Sequence, residues 1–215
     1  LRVKIKMKIF ISLLTFICIC FGDVFEDGIK AFESSNYTKA YELFKTPAEQ
    51  GNANAQYNLG VMYYNGQGVN QNYQEAFKWF KLAAEQGYAS AQYNLGNMYS
   101  DGKGVNQDYL EAIKWLKLAA LQGLASAQYN LGIIYYRGKG VNQNYQESFK
   151  WYKLAAEQGH ASAQYNLGNI YYHGKGVEKN KIKAYELWLA AAKQGDTSAQ
   201  NNLDILCKES PWACK

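Results

Sequence analysis

Apolar positions along this chain fall into two helical patterns that alternate. Between Ala89 and Ser100, Ala91, Leu95 and Met98 recur at i, i+4 and i+7, a single helix face. Between Asn72 and Gln86 the stripe is wider, running through Tyr73, Ala76, Phe77, Phe80, Ala83 and Ala84, and is again helical. A Gly-x-Gly segment parts the first pattern from the second. Gln-Gly closes the second, where glycine supplies a left-handed C-cap. Pro47 and Pro211 are the only prolines, so little else interrupts helices.

Both patterns return at a fixed period, the signature of a repeat architecture. Ala55-Gln56-Tyr57-Asn58-Leu59-Gly60 comes back at Ala91, Ala127 and Ala163, each 36 residues on, and a degenerate copy starts at Ala199. Gln50-Gly51, Gln86-Gly87, Gln122-Gly123, Gln158-Gly159 and Gln194-Gly195 keep the same 36-residue phase. So do the Gly-x-Gly-Val turns that begin at Gly66, Gly102, Gly138 and Gly174. Each unit therefore reads as helix A, a glycine turn, helix B and a short turn. A single pair cannot bury its own apolar face, whereas stacked pairs can.

The expected fold is all-α, a right-handed α-solenoid of antiparallel helix pairs. The units are about 23–52, 53–88, 89–124, 125–160 and 161–196, with a capping helix and tail over 197–215. The first pair places helix A near Val24–Ser34 and helix B near Asn36–Gln50. Alanine and glycine in the A helices allow close approach. Trp79, Trp115 and Trp151 of the B helices read as packing between neighbours.

Charge alters the picture only at the N-terminus. The formal charge of +5 shrinks once Arg2, Lys4, Lys6 and Lys8 are set aside, because the remaining 19 basic residues face 18 acidic ones. A nearly neutral array disfavours nucleic acid as a partner, since that binding rests on neutralising phosphates. Residues 1–22 join a basic stretch to an apolar run, Ile9 to Phe21, with Met7 as the expected start and cleavage expected near Gly22/Asp23. This is a secretory signal pattern, too short for a membrane span. It predicts a periplasmic or secreted protein with no stable membrane anchor after cleavage. Isoleucine precedes both Cys18 and Cys20, where lipid attachment calls for a small residue. The remaining cysteines, Cys207 and Cys214, flank a Pro-Ser turn and predict a disulfide in an oxidising compartment. No metal is expected: His160 and His173 occupy different repeat phases, without partners at ligand spacing. No cofactor is expected either. The Gly-x-Gly turns follow a helix rather than a strand and lack the Lys-Ser/Thr of a phosphate loop.

The motifs Ala-Gln-Tyr-Asn-Leu-Gly, Tyr-x-Gly-x-Gly-Val and Trp-x-x-Leu-Ala-Ala-Glu-Gln-Gly resemble those of Sel1-like repeats, relatives of the tetratricopeptide repeat, over about Asn36 to Leu206. The export signal and the ending Ile205 to Cys214 further resemble secreted bacterial cysteine-rich repeat proteins described as penicillin-binding or β-lactamase proteins. That resemblance implies a β-lactam as substrate or ligand. The same family staples each repeat with a cysteine pair. The matching positions here are Ala84 and Gln92, Ala120 and Gln128, and Ala156 and Gln164.

A serine β-lactamase needs an activated serine and oxyanion donors. One Ser-x-x-Lys exists, Ser100 to Lys103, but it lies in a repeat turn whose sisters carry Tyr64, Tyr136 and Tyr172, and the accompanying Ser-Asp-Asn and Lys-Thr-Gly elements are missing. No catalytic residue is assigned. The candidate binding residues are Asn58, Asn94, Asn130 and Asn166, one per repeat before Leu-Gly, widened by Asn97 and Asn169 one turn on. An amide can hold an extended peptide backbone through its donor and acceptor, and the tetratricopeptide resemblance implies that role. Equally, these amides can bond neighbouring A helices and set the repeat spacing. Three functions follow: a protein- or peptide-binding scaffold acting through its concave face, a β-lactam-binding or hydrolysing enzyme, and a binder of cell-wall peptides.

Overall fold

The computed structural model describes residues 24–214, and every regular element among them is helical. Residues 24–33 form α1. There follow α2 (Tyr37–Glu49), α3 (Ala53–Asn65), α4 (Tyr73–Glu85), α5 (Ala89–Asp101), α6 (Tyr109–Leu121), α7 (Ala125–Arg137), α8 (Tyr145–Glu157), α9 (Ala161–His173), α10 (Lys181–Ala192) and α11 (Thr197–Glu209). A 3-10 turn, Pro211–Cys214, ends the described chain. The chain is an all-α solenoid of helix pairs, with odd-numbered helices in the A position and even-numbered ones in the B position. The expected signal segment and its cleavage point lie outside the described residues.

The helix boundaries have side-chain causes. Asn72, Asp108, Asn144 and Asn180 precede the B helices and accept from backbone N–H groups of the first turn. This is the N-cap bond that satisfies otherwise orphaned donors. Each Gly-x-Gly turn then needs its glycine. At Gly140, φ is +69°, and an added Cβ would lie 2.2 Å from Tyr109 Cβ. Pro47, by contrast, sits inside α2 and is buried, so this proline does not end its helix.

The chain divides into two compact units: 24–91 with Lys103–Val105, and Gln92–Gly102 with 106–214. In the first, Ala40, Phe44, Ala48, Leu59 and Met62 form the core. A large B-helix side chain lies on a glycine of the partner A helix: a Cβ on Gly60 would come within 2.6 Å of the Phe80 ring. The second unit uses the same device three times. Leu116 lies on Gly96, Tyr152 on Gly132 and Trp188 on Gly168, with added Cβ atoms at 2.7, 2.4 and 2.5 Å. The glycine spares a methyl so that the ring can fill the space, and interiors of this density leave no slack for both.

Glutamines, buried at Gln128 and half-buried at Gln164, bridge the positions where the cysteine-rich resemblance would place staples. Gln128 Nε2 donates to Ala120 O at 3.0 Å, and Gln164 Nε2 donates to Ala156 O at 3.3 Å. The same amides accept from the glutamine that ends a following B helix, Gln158 to Gln128 and Gln194 to Gln164, both at 2.8 Å. In the first unit, Gln56 bonds Ala48 O and accepts from Gln86. At the C-terminus the sulfurs of Cys207 and Cys214 are bonded, with Cα atoms 5.7 Å apart. Lys181 Nζ donates to the buried Ser210 hydroxyl beside them.

Candidate functional site

The Ala-Gln-Tyr-Asn-Leu-Gly motif turns alanine, leucine and glycine toward the B helix and leaves its asparagine half-buried on the A-helix face. The predicted asparagines are not equivalent. Asn130 Nδ2 donates to Asn97 Oδ1 at 2.7 Å, tying α7 to α5. Asn202 Nδ2 donates to Asn169 Oδ1 at 3.1 Å, tying α11 to α9. Asn130 and Asn97 are therefore committed to each other as inter-helix clamps, and Asn169 keeps a donor. Asn166 lacks such a partner because Ile133 stands where Asn97 and Asn169 stand in their own repeats. The side chains of Asn58, Asn94 and Asn166 make no hydrogen bond among the described residues.

In the second unit Asn166 and Asn169 line a groove of about 330 Å³. α7 supplies Tyr129, Ile133, Tyr136 and Arg137 to one side, and α9 supplies Ser162, Tyr165 and the two asparagines to the other. Tyr152 forms part of the wall from α8, and Asp196 with Ser198 closes the end at the start of α11. Asp196 Oδ1 already accepts from Ala199 N at 2.9 Å as the α11 cap. Arg137 is the sole arginine between residues 24 and 214 and has no ion-pair partner among the described residues. Burial pushes the Tyr152 hydroxyl above the usual phenol range, with Tyr129 and Tyr136 adding to the effect. Tyr152 thus stays a neutral donor and acceptor. Tyr136 accepts from Lys175 Nζ at 2.6 Å, which fixes its ring at the groove edge.

These groups form hydrogen bonds, offer one unpaired positive charge and present aromatic faces; they are suited to holding an extended polar chain. The lysine of the Ser-x-x-Lys motif is used differently. Lys103 Nζ donates to the Tyr64 hydroxyl at 2.8 Å and lies over the Tyr64 and Tyr73 rings, as Lys175 does with Tyr136 and Tyr145. No group of three or more His, Cys, Asp or Glu that could hold a metal occurs among the described residues. No helix among them is long and apolar enough to cross a membrane.

The sequence reading named Asn166 and Asn169 but not Arg137, Tyr152 or Asp196, which line the same groove. A signal was present in the departures from the repeat. Arg137 replaces Asn65, Asp101 and His173 of the sister turns, and Tyr152 replaces Phe80, Leu116 and Trp188.

The family described as Sel1 repeat matches residues 18–52, 53–88, 89–124, 125–160 and 161–196. A Sel1 repeat protein from Oxalobacter formigenes is 37% identical with a TM-score of 0.81, over 87% of this chain and 75% of that one. The protective antigen c5321 of uropathogenic Escherichia coli, which displays an SLR fold, is 40% identical with a TM-score of 0.82. That match covers 85% of this chain but only 40% of the antigen. A Sel1 repeat protein from Klebsiella pneumoniae shares the fold at 22% identity and a TM-score of 0.56, over 86% of this chain and 92% of that one. No curated protein matches the chain.

Proposed function

We propose, from the premise that this chain belongs to the Sel1 repeat family, that it is an exported scaffold whose A-helix groove in the second unit binds an extended peptide segment of a protein partner. The observation that carries this reading is the pairing, in one groove, of an unclamped amide on Asn166 with a guanidinium on Arg137 that has no counter-ion. The equivalent Asn130 of the same unit is instead spent internally on Asn97. Export is supported by the basic and apolar pattern of residues 1–22 and by the Cys207–Cys214 bond, which persists in oxidising compartments.

The test is selection of displayed peptides on the immobilised chain, followed by affinity measurements on Asn166→Ala and Arg137→Ala. Enriched peptides should lose about tenfold or more in affinity with each variant, as for a hydrogen bond to a charged or buried group. Peptides that bind all three proteins equally would move the site elsewhere. Fusion of residues 1–30 to a reporter active only outside the cytoplasm checks export separately.

A further inference from the structure

Also in the second unit, between α8 and α10, lies a cavity of about 400 Å³ that shares no lining residue with the peptide groove. Its floor is Ala156, Leu167, Tyr171 and Leu187. The 36-residue repeat explains its existence. Position 187 carries leucine, as Leu43 does in the first pair, where the three middle repeats carry Trp79, Trp115 and Trp151. Trp151 packs against the cluster containing Ala120 and Leu131 together with Tyr135, and these are the sisters of Ala156, Leu167 and Tyr171. Trp79 packs in the same way against the cluster of Ala48 and Leu59. In the last pair Leu187 meets the equivalent cluster and leaves unfilled the space an indole fills elsewhere.

The rim has changed along with the floor: Glu186 lines this cavity where the tryptophan repeats carry Lys78, Lys114 and Lys150, while Glu157 matches Glu49 and Glu85 at the sites of Trp79 and Trp115. The indole N–H groups of Trp115 and Trp151 are buried without a hydrogen-bond partner. An incoming indole at the last pair would find carboxylate acceptors at the rim. Lys183 lies over the Tyr171 ring at 5.2 Å and forms a cationic edge for an aromatic guest.

We propose that this cavity is a docking slot for a tryptophan side chain of a partner polypeptide, which fills the last pair as Trp79 and Trp151 fill the same place in theirs. The volume falls at the small end of ligand pockets. The probes are free indole and N-acetyl-tryptophanamide, with N-acetyl-alaninamide as control, followed by methyl NMR of Leu167 and Leu187. Saturable shifts for both indole probes at millimolar concentration, and none for the alanine control, are expected. Leu187→Trp should abolish the shifts and raise Tm by about 2–4 °C, as about 1 kcal/mol of new burial does in a chain of this size. Should that variant fail to fold, Leu187→Phe should weaken binding at least fivefold. Asn166→Ala, outside the lining of this cavity, should leave the shifts unchanged, so failure here and failure of the peptide groove are separable. Absence of binding, binding that survives Leu187→Trp, or binding of indole with exclusion of the capped residue would each overturn the proposal.

Discussion

Lys175 and His160 show how single residues hold the turns. Lys175 Nζ donates to the Tyr136 hydroxyl at 2.6 Å and lies 4.8 and 5.3 Å from the Tyr136 and Tyr145 ring centres. The bond to Tyr136 holds its pKa above the ordinary lysine value of 10.5. Its contribution is therefore complete below pH 10.5 and fades as pH rises beyond that. Lys175→Met should cost about 0.5–1 kcal/mol at pH 8 by chemical denaturation, the size of an exposed cation–π contact, and the gap should narrow in strong base. His160 behaves in the opposite sense. Its Nδ1 accepts from Ala163 N at 3.3 Å to cap α9, and its ring stacks on Tyr129 at 4.7 Å. Burial lowers its pKa below the ordinary 6.5, so the folded state favours the neutral ring. That stability is full above pH 6.5 and is lost as pH falls, because a protonated Nδ1 cannot accept the cap bond. His160→Asn keeps a cap without titrating. Between pH 8 and pH 5 the wild type should lose more stability than His160→Asn, and equal losses would show that the ring does not couple to folding.

At the scale of helices, the glutamine bonds decide how pairs are joined. Gln128 both donates to Ala120 O and accepts from Gln158, and it is buried. Gln128→Ala strands both partners and should cost about 1–3 kcal/mol, read from the urea midpoint. Ala120→Cys with Gln128→Cys places a cysteine pair at positions already bridged by a hydrogen bond. The oxidised double variant should show no free thiol at these positions and melt above its reduced form, since a closed short loop contributes about 2–3 kcal/mol. A persistently free pair would mean that the helices here are set too far apart for that bond. The period, the pairing and the glycine turns were legible in the sequence because every repeat makes the same contact: Gly60, Gly96, Gly132 and Gly168 each receive one large side chain. The groove and the slot were not. Both arise where a repeat departs from its immediate neighbours, at Ile133, Arg137 and Tyr152 for the groove and at Leu187 for the slot. A search for the repeat averages such positions away. The asparagines show the same effect: identical letters at Asn130 and Asn166 meet different neighbours, Asn97 and Ile133.

Within the second unit, as in repeat arrays generally, stability should come from each pair and its interfaces with adjacent pairs. α10 packs on α9 and α11, and α11 packs in turn on the terminal 3-10 turn. The Cys207–Cys214 bond ties that turn to α11, while the Tyr172 hydroxyl donates to Glu209 at 2.9 Å and Lys181 holds Ser210. Loss of the disulfide should therefore be felt locally. In the double variant Cys207→Ser with Cys214→Ser, amide exchange over 197–214 should accelerate by about tenfold or more, as expected when about 2 kcal/mol is removed from a local opening reaction. Exchange over 125–160 should stay within twofold of the wild type, because the terminal turn packs on α10 and α11. Acceleration spread evenly across 106–214 would instead make the unit one cooperative block. The disulfide would then set the stability of the groove and the slot as well as that of the cap.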